Sequence, residues 1–327
     1  MKHVLHKLCL LMGLAVLGTA GPVIAQTFKP SKPIEIVVHT GPGGGNDVFI
    51  RAVLATLKKD NLTQDNFVVV NKSGGGSANA MNYLREKAGD SHTLGVYASV
   101  FVSDVLVQES APLGLEKITP VAGLVSEPAM VVVRSDSPYK TMADLIAAAK
   151  AQPGKLKQSG GSVLSRDAVV RYVLMSHTRA EWSFISFPSG GERVSALLGG
   201  HVDFMIIEPS EAGEMIRAGK LRPLVQIAEN KIEGFPNVPL LREAGFPVPN
   251  VPQLRGLIGP PDMPPAAVAY YADLFKRASQ APAYKAYLTS KQLGNEYLAP
   301  TDLRKALDSY QVELRGILKG AGLKVVR

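Results

Sequence analysis

The chain has 327 residues, 46% of them hydrophobic and 20% charged, with a formal net charge of +8 and a single cysteine, Cys9. A chain this long and this apolar can bury more core than one ordinary domain needs, so two domains are expected. One cysteine excludes disulfide scaffolds and thiolate metal sites, and the scattered Lys and Arg lack the clustering with aromatics that nucleic-acid binding uses, so no nucleic-acid partner is expected.

In chain order, residues 1–25 read as a secretory signal peptide. Lys2 and Lys7 precede the apolar run Leu8 to Leu17, and Pro22-Val23-Ile24-Ala25 supplies small residues for cleavage after Ala25. No later run approaches the ~18 apolar residues a membrane span requires, so the mature chain is not expected to be membrane-embedded. Cys9 falls inside the removed segment, and without Lys2 and Lys7 the net charge drops to +6. The expected compartment is a bacterial periplasm.

Strand-like and helix-like segments then alternate, which predicts an α/β protein with helices on mostly parallel sheets. Ile34 to Val38 is a strand that ends in the glycine turn Gly41-Pro42-Gly43-Gly44-Gly45-Asn46-Asp47. A helix carrying Phe49, Val53 and Leu57 follows, with Asn46 or Asp47 as its cap. Phe67 to Val70 repeats the theme, running into Gly74-Gly75-Gly76-Ser77 and a helix through Met81 and Leu84. His92 to Val100 reads as a strand, and Val121 to Leu124 with Met130 to Val133 as strand material broken at Pro128. Thr141 and Asp144 open a helix in a capping-box-like way that ends at Pro153-Gly154.

A third turn, Ser159-Gly160-Gly161-Ser162, opens the apolar-striped segment Val163 to Met175, and a fourth, Phe187 to Glu192, precedes a short helix through Leu197. Strand Val202 to Ile207 stops at Glu208-Pro209, and Leu221 to Ile227 is the last strand of this half. Proline-rich Gly234 to Pro265 reads as an extended connection back to the first domain, followed by helices from about Pro264 and Thr301.

The glycine turns are not nucleotide motifs. Asn46 and Asn79 stand where the dinucleotide fingerprint needs its third glycine, and no GxxxxGK[ST] run occurs. There is no GxSxG and no HExxH, and His39, His92, His177 and His201 form no close pair. No metal and no other cofactor is expected. Glycine lets the backbone approach a ligand, and free amides at helix N-termini attract anions, so four such turns at strand ends suit carboxylate oxygens in one cleft.

Residue by residue, several readings stay open. Arg166 can meet a carboxylate or pair at the surface with Asp167 or Glu181; Glu208 can face the ligand or cap the helix after it. Asp47 reads as support for the first turn, His39 as a loop-end histidine with a structural hydrogen bond, and Trp182 as packing.

These residues together resemble the substrate-binding receptors of tripartite tricarboxylate transporters, the Bug receptors. The likeness rests on Pro30 to Ile34, Gly43-Gly44-Gly45-Asn46-Asp47, Asn71 to Gly76, Gly190-Gly191, and Leu197 to Asp203. Further carriers are Ala218 to Arg222, Phe235 to Pro239 and Glu243-Ala244-Gly245, so it spans nearly all of the mature chain. The resemblance implies a type II periplasmic binding fold: two domains, each a mixed sheet flanked by helices, with a cleft between them. The expected division is 26–124 plus 251–327 for domain 1 and 125–250 for domain 2.

It also implies capture of a small organic carboxylate (a di- or tricarboxylate or an aromatic acid) by hinge closure and delivery to the membrane subunits of a secondary transporter, by a monomer without enzymatic activity. A ligand-presenting sensor subunit and an exported hydrolase are the alternatives. Ligand contacts are expected from Thr40, Gly43, Gly44, Gly45, Asn46, Gly75, Gly76, Ser77, Ser99, Gly160, Gly161, Ser162, Arg166, Ser189, Gly190, Gly191 and Glu208. The chain departs from the family pattern at His39-Thr40-Gly41, where a Pro-x-Pro-Pro run is usual, and at Phe187, where tyrosine is usual.

Overall fold

The computed structural model describes residues 28–187, 190–248, 251, 253–320 and 322–326. The proposed signal peptide, its cleavage point and Ser189 lie outside the described residues.

The chain opens with β1 (Ile34–Val38), α1 (Gly45–Lys59), β2 (Phe67–Asn71), α2 (Ala78–Glu86), β3 (Thr93–Tyr97), α3 (Val100–Val107) and β4 (Thr119–Glu127). Pro128, which has no amide hydrogen to offer a ladder, separates β4 from β5 (Ala129–Arg134). Then come α4 (Met142–Ala151), β6 (Lys157–Gly160), α5 (Arg166–Thr178), β7 (Ser183–Ser186), α6 (Gly190–Leu198), β8 (Phe204–Ile207), α7 (Pro209–Arg217) and β9 (Leu221–Ile227). The chain finishes with β10 (Gln253–Gly259), α8 (Pro265–Gln280), α9 (Pro282–Lys291), β11 (Gly294–Leu298) and α10 (Pro300–Gly320).

The strands form two sheets, a six-stranded one in the order β11-β4-β10-β3-β1-β2 and a five-stranded one in the order β7-β6-β8-β5-β9. Both are mixed. β1 runs parallel to β2 and β3, and β6 parallel to β7 and β8, whereas β10 is antiparallel to β3 and β4, and β5 to β8 and β9. The expectation of mostly parallel sheets is therefore corrected. The strands on either side of the crossings between sheets, β4, β5 and β10, run against their neighbours.

Alternation along β1 divides the core of the first sheet. Ile34, Ile36 and Val38 face one side, where they meet Phe49, Ile50 and Val53 of α1 together with Tyr271 and Phe275 of α8. Val37 faces the other side, with Met81 and Leu84 of α2 and Phe101 and Val105 of α3. In the second sheet Met130 and Val132 pack towards α6 and α7, while Val131 and Val133 join the core that also holds Val169 and Val173 of α5. Leu303, Leu307, Leu314 and Leu318 put a buried stripe on α10, which lies against β4, α3 and α5 and so touches helices of both sheets.

Local signals explain some element ends and not others. Thr141 and Asp144 complete a full capping box at α4, with aspartate in the place of the usual glutamate. The helix after the third turn begins at Arg166, three residues later than the apolar stripe at Val163 indicates, because Ser162 to Ser165 close a turn and Val163 is 58% exposed. The strand expected to reach Val100 stops at Tyr97, where α3 begins almost at once. The proline-rich return segment contains β10, since Gln253–Gly259 itself carries no proline.

Candidate functional site

The first turn is built by its own side chains. Gly44 is the N-cap of α1, so neither Asn46 nor Asp47 caps that helix. Asp47, in the first turn of the helix, reaches back to accept the Gly43 amide at 2.9 Å, and also accepts Asn71 Nδ2 at 3.0 Å and Arg51 Nε at 2.9 Å. Those bonds commit Asp47 to holding the loop. Gly43 has φ of +78°, a conformation that a side chain would strain. Buried Asn46 donates to His39 Nδ1 at 3.3 Å, and the His39 ring stands edge-on to Phe101. Thr40 keeps a buried hydroxyl oxygen with no hydrogen-bond partner among the described residues.

The second turn is committed to structure at its end. Ser77 is fully buried and donates through its amide and its hydroxyl to Asp104 Oδ2, at 2.5 and 2.6 Å. Its hydroxyl hydrogen is thus spent inside the protein. Gly75 and Gly76 remain exposed at positive φ, and a β-carbon at Gly76 would collide with Asp104. Ser99, just ahead of α3, donates to Gln253 Oε1 of β10 at 2.7 Å.

In the third turn Asp167 plays the part that Asp47 plays in the first. Its Oδ2 accepts the Gly161 amide at 2.9 Å and its Oδ1 accepts the Ser165 hydroxyl. Gly160 is glycine for packing reasons, since a β-carbon there would strike the Phe184 ring and the Asp167 carboxylate. Ser162 is exposed. Trp182 is buried, with Nε1 donating to Gln158 Oε1 at 2.8 Å and its ring against Phe204, the packing role expected of it.

A buried charge cluster lies where the two sheets meet. Arg166, at the start of α5, is 4% exposed, donates through Nη1 to the carbonyl of Glu127, and has Nη2 3.9 Å from Glu208 Oε1. That burial rules out a surface pairing with Asp167 or Glu181. Arg255 of β10 holds Glu127 Oε2 at 2.6 Å and donates to the Gly45 carbonyl at 3.2 Å. Arg193 of α6 donates to the Ile206 carbonyl and stands 3.5 Å from Asp167 Oδ2. Ser210 donates to Glu127 Oε1 at 2.8 Å.

Glu208 occupies the N-cap position of α7, yet its side chain makes no cap bond and turns to the arginines. Burial works to raise its carboxyl, and the guanidiniums of Arg166, Arg193 and Arg255 outweigh that, holding it below the ordinary carboxylate range. The neighbouring Glu211 carboxyl sits against Gly190, where a β-carbon would overlap it, and 3.8 Å from the position a β-carbon would take at Gly45. The first and fourth turns, on different sheets, therefore converge on one carboxyl group. Gly191 is open to solvent.

Three donors in this cluster are left over. Arg166 Nη2, Arg193 Nε and Arg255 Nε are buried with no hydrogen-bond partner among the described residues. Buried guanidinium hydrogens without acceptors are costly, and an entering anion would supply the acceptors. Separately, a cavity of about 960 Å³ opens beside Pro128 between the 227–234 loop and the α9–β11 corner, and no described residue of the four glycine turns lines it. Among the described residues no group of three or more potential metal ligands occurs, and no helix is long and apolar enough to cross a membrane.

Sequence reasoning named none of Glu127, Arg193, Arg255 and Glu211 as an expected contact. A charged residue inside an apolar strand, such as Arg255 between Leu254 and Leu257, is the signal that could have exposed one of them.

Two mixed α/β sheets joined by crossing strands, with glycine turns and ion-paired arginines that keep unpartnered hydrogens at the junction, define a two-lobed solute-binding protein. Residues 50–321 match the model of the tripartite tricarboxylate transporter family receptor, TctC, and the chain belongs to that family. BugT of Bordetella pertussis is 30% identical over 247 residues, covering 72% of each chain. MatC of Rhodopseudomonas palustris, solved with malate, shares the fold at 23% identity and a TM-score of 0.80, over 89% of this chain and 100% of that one. A further R. palustris protein, solved with adipate, shares it at 20% identity and a TM-score of 0.83, over 90% and 98%.

Proposed function

We propose that this receptor works in the periplasm, where it captures a small organic carboxylate between its two lobes and delivers it to the membrane subunits of a secondary transporter. The lobes are one sheet each with its helices, exchanging at Pro128 and again near residue 251. The observation that carries the reading is the set of buried guanidinium hydrogens without acceptors, from Arg166 and Arg193 on one lobe and Arg255 on the other. An anion held by donors from both lobes favours the closed state, because the open state lacks half of those contacts. The main-chain amides of Gly45 and Asn46 and of Gly190 and Gly191, with Ser162 at the rim, complete the proposed contacts; the Gly44 amide already donates to the Gly41 carbonyl at 3.0 Å. Malate and adipate, held by the two R. palustris relatives, supply the chemical class. No covalent step is required.

Binding partners can be read from the protein itself. Mass spectrometry of small molecules released by denaturing the freshly purified mature protein is expected to show a carboxylic acid close to one per chain. A neutral sugar or an amine in its place would remove the anion reading. Affinity capture from membranes loaded with that acid is expected to retain integral transporter subunits; recovery of a signalling kinase would assign the receptor to sensing.

A further inference from the structure

We infer that Glu211 is a specificity-determining residue of this site, one that shares a proton with a carboxyl group of the bound acid. The inference rests on the anion-binding reading above and adds to it the protonation state in which the acid is held.

The geometry supplies the reason. The cluster contains three guanidiniums, and each has its own carboxylate: Arg255 with Glu127 at 2.6 Å, Arg193 with Asp167 at 3.5 Å, and Arg166 with Glu208 at 3.9 Å. Glu211 is the fourth carboxyl and has no arginine of its own. It lies instead between the first turns of α1 and α6, beside Gly45 and Gly190. Amides at helix N-termini favour acidic oxygens and disfavour ammonium groups, so Glu211 occupies the place best suited to a ligand carboxylate. The unmatched hydrogens of Arg166, Arg193 and Arg255 draw an acid to the same place.

Two carboxyl groups side by side in a buried site, with no cation between them, resist double ionisation, and one proton between them turns repulsion into a hydrogen bond. The groups that face Glu211 are Glu208 at the start of its own helix, Arg193 from α6, Glu127 from β4 and Arg255 from β10, and Glu208 and Arg193 pair in turn with Arg166 and Asp167 of α5. Burial first, and then Glu208, pushes the Glu211 carboxyl up to about 7; Glu127 adds to the rise, while Arg193 and Arg255 oppose it. His39, held near pH 4, stays neutral and contributes no titration in the neutral range. Above pH 7 the ionised Glu211 must therefore take up one proton for each acid bound.

The test is calorimetric titration of malate and adipate into the mature protein at pH 6 and pH 8, each in two buffers of different ionisation heat. Wild type is expected to bind about tenfold more weakly at pH 8, with uptake of close to one proton there, following the ordinary linkage of one group with its midpoint near 7. Glu211→Gln, which carries its hydrogen at every pH, is expected to bind about tenfold tighter than wild type at pH 8, with less than twofold change between the two conditions. Binding by wild type with no proton uptake and no pH dependence would overturn the inference while leaving the anion reading intact. A ligand ammonium paired with ionised Glu211 would reverse the signs, with binding weaker at pH 6 and lost in Glu211→Gln, and would overturn it too. Binding of neither acid, nor of any acid released from the protein, would remove the anion reading and this inference together.

Discussion

Arg255→Ala is expected to lower the unfolding free energy by about 3–5 kcal/mol, the usual cost of removing one partner from a buried ion pair. Arg255 and Glu127 are 7% and 2% exposed, and their charged atoms lie 2.6 Å apart. Burial pushes the Glu127 carboxyl up, and Arg255 is the strongest of the groups that hold it down. Without the guanidinium a carboxyl at the end of β4 is left to protonate or to stand uncompensated, the Gly45 carbonyl loses a donor, and the Phe49 ring loses the cation above it. The double variant Arg255→Met with Glu127→Gln is expected to recover most of the loss, because a buried pair replaced as a unit is often neutral in stability. Denaturant unfolding at pH 7 gives both numbers, and a loss below about 1 kcal/mol in the single variant would place the pair in solvent.

The second large effect is acid sensitivity through His39. Burial, aided by the Arg255 charge, brings the imidazole down to about 4 from its ordinary 6.5. The unfolded chain therefore binds a proton at His39 that the folded chain refuses. The resulting stability is complete above pH 6.5 and is lost as pH falls towards 4, a difference of up to about 3 kcal/mol. His39→Asn is expected to flatten the stability curve across that window by a comparable amount, at some cost at neutral pH from the lost contacts with Asn46 and Phe101. Thermal unfolding of both proteins from pH 4 to 7.5 measures it. Parallel curves would show that the ring is already solvated in the native state.

Much of the scaffold is written locally. The alternation in Ile34 to Val38 fixes β1, the 3.6-residue spacing of Phe49, Ile50, Val53 and Leu57 fixes α1, and the Thr141–Asp144 capping box marks the start of α4. The family motifs gave the two mixed sheets where alternation alone suggested parallel ones. Other elements leave no periodic trace. Val100–Val107 is helical yet apolar on nearly every side, so it looks like the continuation of β3, and β10 is hidden among prolines that flank it without entering it. Pro282, at the first position of α9, was a start signal left unused.

The site is less legible because its chemistry is non-local. Arg166 meets a carbonyl 39 residues away and Arg255 one 210 residues away, and no window of sequence holds both partners. Glycine turns point to strand ends near the junction, but they do not say which hydroxyls are already spent. Ser77 is spent on Asp104. Glu211 carries no motif, and only the approach of Gly45 and Gly190 to its carboxyl marks it.

Organic-acid binding at the junction of the two sheets is the proposal to test. The most direct measurement is a thermal-shift scan of the mature protein against mono-, di- and tricarboxylates, aromatic acids and neutral sugars. At about 100 times its dissociation constant, one of the acids is expected to add ~2.7 kcal/mol of stability, and Arg166→Ala is expected to lose most of that gain. Stabilisation by a neutral sugar with no response to any acid, or an acid response that Arg166→Ala leaves unchanged, would contradict the account.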